Sequence, residues 1–300
     1  MLGLSKIPPK VMPWFFVVLW SSGFVAAKYV HEFAEPFTFL TLRYTLSAAF
    51  LVAVAAVQRQ TWSLTRRQVR DSAITGLLLH TVYIGGVFYA ISLGVSAGIT
   101  SVIVSMQPVL VALLAIPILG EKFKAIEAVG LLLGVMGVAM LLLPKMFQGD
   151  MTPQFSTAGI VACVVALVGT TGGYLSQKLT GGGIPFVTGT AVQYGVAAVA
   201  YLALSLATEE QRIDWRPEFL LATAWIVLAL SIGSIFMLFE LLKSGSAAGV
   251  SSLYYLVPPS AAVQAYILFR ETIPPIGLVG MGLAALGVML VMRATSGEGH

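Results

Sequence analysis

His80 and Tyr83 stand three residues apart in an apolar stretch, and helical spacing puts this imidazole and phenol on one face. Together they offer donors and acceptors for an amino or carboxyl group, and an imidazole, which titrates near neutrality, can also carry a coupling proton. A hydrogen bond between helices would use the same pair. Trp20, Tyr83, Tyr89, Tyr254 and Tyr255 can line an aromatic pocket for a bulky side chain or a flat cation. Interfacial anchoring is the other use of such rings, and it suits Trp20 and Tyr254 least because both fall well inside apolar runs. Gln107 adds an amide within a further run. This chemistry binds rather than catalyses. His occurs only at 31, 80 and 300, with no H-E-x-x-H pair, so neither a metal nor an enzyme is expected. No cofactor is expected either: Gly181-Gly182-Gly183 leads into Ile184 and Pro185, which makes a flexible turn and not a phosphate cradle.

The remaining candidates are charges and helix breakers, with Lys28, Arg43, Pro108, Lys178 and Pro258 the candidates for gating or hinging. Arg43 falls about seven residues into an apolar run, where a guanidinium needs a partner. Helix carbonyls, Glu32, Glu35 or a solute carboxylate can supply it. Pro108 and Pro258-Pro259 sit inside apolar runs, where they remove backbone donors and bend or break the helix. Each is a hinge, a half-helix end facing a cavity, or a static kink. Glu240 and Lys243 are spaced for an i, i+3 ion pair. Cys163 is the only cysteine, so no intramolecular disulfide forms and a buried helix position is expected.

All of this lies in a chain that is 10% charged and 58% hydrophobic, with a mean hydropathy of +0.91. Soluble domains carry about 25% charged residues, so the chain reads as a polytopic membrane protein. Apolar runs centre on 12–30, 36–57, 72–94, 96–118, 124–143, 157–178, 185–206, 219–242, 247–269 and 275–293, most near the ~20 residues that cross hydrocarbon. The first is read as a retained helix, since no small-residue cleavage site follows it. The net charge of +4 is no nucleic-acid signal, because the basic residues sort by membrane side. With the N-terminus inside, Lys6, Lys10, Arg59, Arg66, Arg67, Arg70, Lys122, Lys124, Lys178, Lys243 and Arg293 fall inside. Lys28, Lys145, Arg212, Arg216 and Arg270 fall outside. The excess puts both termini in the cytoplasm of a bacterial-type inner (plasma) membrane.

A displacement of 150 residues lays the second half over the first: Gly23 on Gly173, Lys28 on Lys178, Tyr44 on Tyr194, Ser101 on Ser251, Pro108 on Pro258, Glu121 on Glu271, Gly137 on Gly287. Each copy has five runs, and an odd number of crossings makes the second copy enter from the opposite side. The expected fold is all-α, ten transmembrane helices as a 5+5 inverted repeat around a central cavity, with repeats 1–147 and 148–300. Residues kept in both copies then serve the scaffold. Lys28 and Lys178 snorkel, reach helix-end carbonyls, gate, or capture a carboxylate, and Glu121 and Glu271 cap helices. The glycines at 130, 134, 137, 280 and 287 allow close packing at the periphery or in a homodimer. Polar residues with apolar or tiny mates mark the solute site: His80 faces Leu230, Tyr83 faces Gly233, Gln107 faces Val257, Tyr254 faces Val104, Tyr255 faces Ser105 and Trp20 faces Thr170.

The run Gln107-Pro108, Gly120-Glu121-Lys122, Gly130, Gly134, Gly137 resembles the repeat hallmark of the EamA family in the drug/metabolite transporter superfamily. The second copy repeats it as Pro258-Pro259, Arg270-Glu271, Gly277, Gly280, Gly282, Gly287, departing at Arg270 where the first has Gly120. The stretch PFTFLTLR at 36–43 is similar to the start of the family's second helix, so the likeness covers essentially the whole chain. Trp20-Ser21-Ser22-Gly23-Phe24 and the His80–Tyr83 pair resemble, within the family, YddG-type exporters of aromatic amino acids. The resemblance implies alternating access and export of small metabolites without ATP. The expected function is a secondary transporter exporting small organic solutes, amino acids including aromatic ones foremost. A passive channel or facilitative permease for small amphipathic or cationic solutes is the alternative.

Overall fold

The structure, a computed structural model, describes residues 11–60, 62–95, 100, 103–120, 124–146, 157–269 and 275–296. Ser101, Glu121, Lys122, Arg270 and Glu271 lie outside the described residues, as do the side chain of Lys28 and the join at 147–156. The helical elements are α1 (Met12–Val30), α2 (Pro36–Val57), α3 (66–92), α4 (Gln107–Leu119) and α5 (Ala125–Met146), then α6 (Thr157–Thr180), α7 (Phe186–Thr208), α8 (217–244), α9 (247–269) and α10 (Pro275–Ser296). Among the described residues the only extended pairing is the isolated bridge Ala34–Ile213. Among the described residues six helical stretches are long and apolar enough to cross a membrane: Pro36–Val57, Arg66–Ser92, Thr157–Gly183, Phe186–Thr208, Pro217–Lys243 and Pro275–Ala294. Their outer faces are greasy, with Val199, Leu206, Leu221 and Leu228 all more than half exposed, as hydrocarbon requires.

Local sequence explains where the helices start and stop. Pro36 and Pro217 occupy first-turn positions, where a missing N–H costs no intrahelical bond. Thr65 and Gln68 form a reciprocal capping box that opens α3. Gly120 closes α4 at φ +68, a left-handed turn that suits glycine. Pro108 falls in the first turn of α4, which begins at Gln107 directly after a turn at 105–106. Pro258 likewise opens a segment, Val257–Phe269, which follows a 3-10 stretch at Leu253–Leu256 within α9.

Both α3 and α8 change pitch in their centres. Gly76–Tyr83 and Ile226–Ser234 are π-helical, so the distortion recurs 150 residues on. A π turn shifts the hydrogen-bond ladder and leaves backbone groups to be satisfied from outside. Two buried tyrosines of α7 do this. Tyr201 donates its hydroxyl to the carbonyls of His80 (2.6 Å) and Thr81 (2.9 Å), and Tyr194 donates to the carbonyl of Ser231.

Two pairs of helices that correspond at the 150-residue displacement, α5 with α10 and α2 with α7, pack against each other and run antiparallel. In α5 and α10 the glycine faces meet: a Cβ at Gly137 would lie 2.4 Å from the Gly280 carbonyl oxygen, and one at Gly287 would lie 2.4 Å from that of Gly130. These contacts are reciprocal, since Gly280 and Gly287 are the mates of Gly130 and Gly137. In α2 and α7 the Thr38 and Ser205 hydroxyls hydrogen-bond at 2.8 Å, and the mated rings Tyr44 and Tyr194 meet at 5.3 Å between centroids. Two further groups complete the bundle. One joins α1 to α8 and α9, and the other joins α6 to α3 and α4.

Candidate functional site

A part-open void, about 590 Å³ with the open solvent at its mouth included, lies where the two groups face each other. Trp20 and Gly23 of α1, Arg43 and Tyr44 of α2, six residues of α3 including His80 and Tyr83, and Leu230, Ser234 and Ile235 of α8 line it. A smaller void of about 250 Å³ adjoins it, lined by Trp20, Tyr83, Val104, Ser105, Tyr254, Val257 and Pro258. Trp20 and Tyr83 belong to both, so they form the shared wall. Trp20 also meets Tyr254 edge to face at 5.5 Å.

The π segments aim the polar groups of this site. His80 is 2% exposed, and its Nε2 is 3.2 Å from Gln193 Oε1. Gln193 passes the interaction on, donating Nε2 to Gln177 Oε1 at 3.2 Å. Its oxygen therefore accepts, which puts the proton on His80 Nε2. The imidazole sits against Tyr194 at 4.8 Å and Tyr44 at 5.6 Å. On the other side Arg43 donates Nε to Ser231 Oγ at 3.0 Å, with its guanidinium 5.1 Å from the centre of the Tyr44 ring. Positions 43 and 193 are mates, and each reaches a π segment of the opposite half: Arg43 reaches Ser231, Gln193 reaches His80. One half offers a cation and the other an amide.

The structure thus brings Trp20, His80, Tyr83 and Arg43 together, with Tyr254 and Pro258 next door. It leaves Gln107 and Tyr255 away from both voids. Gln107 is fully buried in the first turn of α4, with neither amide atom partnered, and Tyr255 lays its ring over Gly134 of α5. Lys178 lines a separate void of about 660 Å³ with Gln177, Phe239 and Lys243, and its Nζ donates to the carbonyls of Leu242, at 2.7 Å, and Gly245, closing the end of α8. Glu240 and Lys243 pair at 2.7 Å beside it. Among the described residues no group of three or more His, Cys, Asp or Glu is placed to hold a metal ion.

Sequence reasoning passed over Tyr44, Tyr194, Gln193 and Ser231. The signal was present: Tyr44 and Tyr194 stand 150 residues apart as identical residues, and their rings meet at 5.3 Å between centroids. Preference for unmatched residues discarded them.

A family model described as "EamA-like transporter family" matches residues 14–143 and 157–293. The "Uncharacterized transporter YvbV" of Bacillus subtilis (strain 168) is 26% identical over 300 residues, covering 97% of this chain and 93% of that protein. The "WAT1-related protein At3g02690, chloroplastic" of Arabidopsis thaliana is 27% identical over 94% of this chain and 68% of its own length. A "Probable terminal-alkyne amino-acid exporter" of Streptantibioticus cattleyicolor is 29% identical over 68% of this chain and 67% of its own length. A solved structure with 17% sequence identity superposes with a TM-score of 0.78, covering 97% of this chain and 98% of its own, which is a likeness of fold.

Proposed function

We propose, from the premise that the chain belongs to the EamA-like transporter family, that this membrane transporter exports small organic metabolites, amino acids including aromatic ones foremost, by alternating access. Its ten helices form a 5+5 inverted repeat, 1–147 and 148–300, with both termini in the cytoplasm and the chain in a bacterial-type inner membrane. The observation that carries this reading is the void itself, walled by α1, α2, α3 and α8 and lined by aromatic rings with a few aimed polar groups. The antiparallel packing of α5 on α10 and of α2 on α7 supports the inversion, because equivalent helices that run opposite ways cross a bilayer in opposite senses. A relative named as an amino-acid exporter supports the solute class.

The test is counterflow. In proteoliposomes loaded with unlabelled L-phenylalanine, labelled L-phenylalanine enters faster than in empty ones, and the rate saturates. A flux that neither saturates nor responds to internal solute marks a passive pore instead.

A further inference from the structure

The void lined by Trp20, His80 and Tyr83 holds one positive charge and no negative one. Arg43 lines it, and none of its lining residues is acidic. Arg43 as a residue is 9% exposed, and among the described residues the protein engages its guanidinium only through Ser231 Oγ at Nε and through the face of Tyr44, neither of which carries a charge. The acids that the sequence offers as partners are elsewhere. Glu35 accepts from the backbone N–H groups of Glu210 at 3.3 Å and Arg212 at 2.9 Å, and Glu32 is exposed. A guanidinium inside a membrane, with donors left over after Ser231, needs an anion, and its planar fork matches a carboxylate. The equivalent position in the other half is Gln193, uncharged and already held between His80 and Gln177. The void therefore has a single charged pole.

We propose that the solute supplies the missing charge: Arg43 is the carboxylate anchor of the void. The transported species is then an organic carboxylate whose apolar body lies against Trp20 and Tyr83, and recognition rests on the carboxylate and not on an ammonium group. This deepens the transporter reading and rests on it. Amino acids enter through the α-carboxylate; the amines left by removing it do not.

Competition in the counterflow assay tests the anchor. Against labelled L-phenylalanine, 3-phenylpropionate keeps the ring and carboxylate without the amine, and phenethylamine keeps the ring and amine without the carboxylate. We expect 3-phenylpropionate to compete and phenethylamine to be weaker by roughly tenfold or more, the worth of a charge-assisted hydrogen-bonded pair. Arg43→Gln lowers the potency of 3-phenylpropionate by a similar factor, and Arg43→Lys, with charge but no fork, restores part of it. The competitor series on the unaltered protein decides the matter even where Arg43→Gln fails to fold. Equal competition by phenethylamine overturns the anchor and leaves the transporter reading intact. No amino-acid counterflow, while 3-phenylpropionate still raises the melting temperature of the unaltered protein and not of Arg43→Gln, keeps the anchor and overturns the amino-acid reading. Silence in both measurements overturns both.

Discussion

Two glycines five residues apart on α10 respond oppositely to the same methyl group. Gly287 is buried against α5, and a Cβ there would stand 2.4 Å from the Gly130 carbonyl oxygen and 2.8 Å from the Gly134 nitrogen. Those are backbone atoms, so the helices must separate, and overpacking of this kind costs about 1–3 kcal/mol. Gly282 is exposed on the far face with nothing within 4 Å of a Cβ, so alanine there gains helix propensity worth about 0.5–1 kcal/mol. Gly287→Ala is therefore less stable than Gly282→Ala by at least about 1.5 kcal/mol. Thermal unfolding of the two variants in one detergent, followed by loss of the monodisperse species on size exclusion, reads the difference. Equal melting temperatures would refute backbone-to-backbone packing of α5 on α10.

His80→Ala removes the partner of Gln193 from the wall of the void and weakens solute affinity by about 1–3 kcal/mol, roughly five- to hundredfold in competition assays, with Tyr83→Phe in the same direction. Lys178→Met strips the donor from the Leu242 and Gly245 carbonyls, so it lowers protein abundance and leaves the affinity of the surviving protein unchanged. The Glu209 carboxylate holds the first turn of α2, accepting from Phe37 N (2.7 Å), Thr38 N (2.6 Å) and Thr38 Oγ1 (2.8 Å), so Glu209→Gln destabilises by about 1–2 kcal/mol in the same unfolding assay.

The positions of helices are plain in the hydropathy of the chain, as with the run at 12–30 and the helix Met12–Val30, because lipid contact demands apolar residues regardless of what packs behind them. Their internal irregularities are not. The π turn at Gly76–Tyr83 depends on Gly76 lying against the backbone of Gln193 and on the Tyr201 hydroxyl meeting the His80 carbonyl, and both partners come from the other half of the chain. The prolines show a similar limit: Pro108 and Pro258 signal a break, but only the tertiary structure shows that each opens the segment after it. The site was half legible. Trp20, His80 and Tyr83 stood out as residues unlike their mates Thr170, Leu230 and Gly233, and they share one void. Tyr255 satisfied the same rule and packs on Gly134 instead, since pairing 150 residues apart says nothing about which face of a helix a side chain takes. Arg43 called for a partner in the sequence, and among the described residues the structure gives it Ser231 and the Tyr44 ring but no acid.

Alternating access requires that α3 and α8, which face each other across the void, part at one membrane face as they close at the other. Spin labels on cysteines at Ser92 and Leu221 report one end of this pair of helices, and labels at Val69 and Lys243 report the other, in a chain whose sole native cysteine, Cys163, is replaced by alanine. Pulsed electron–electron distances, taken with and without saturating L-phenylalanine, should shift in opposite directions at the two ends. Distances that widen together, or that ignore the solute in protein that still performs counterflow, would contradict transport by rocking of two halves about one site.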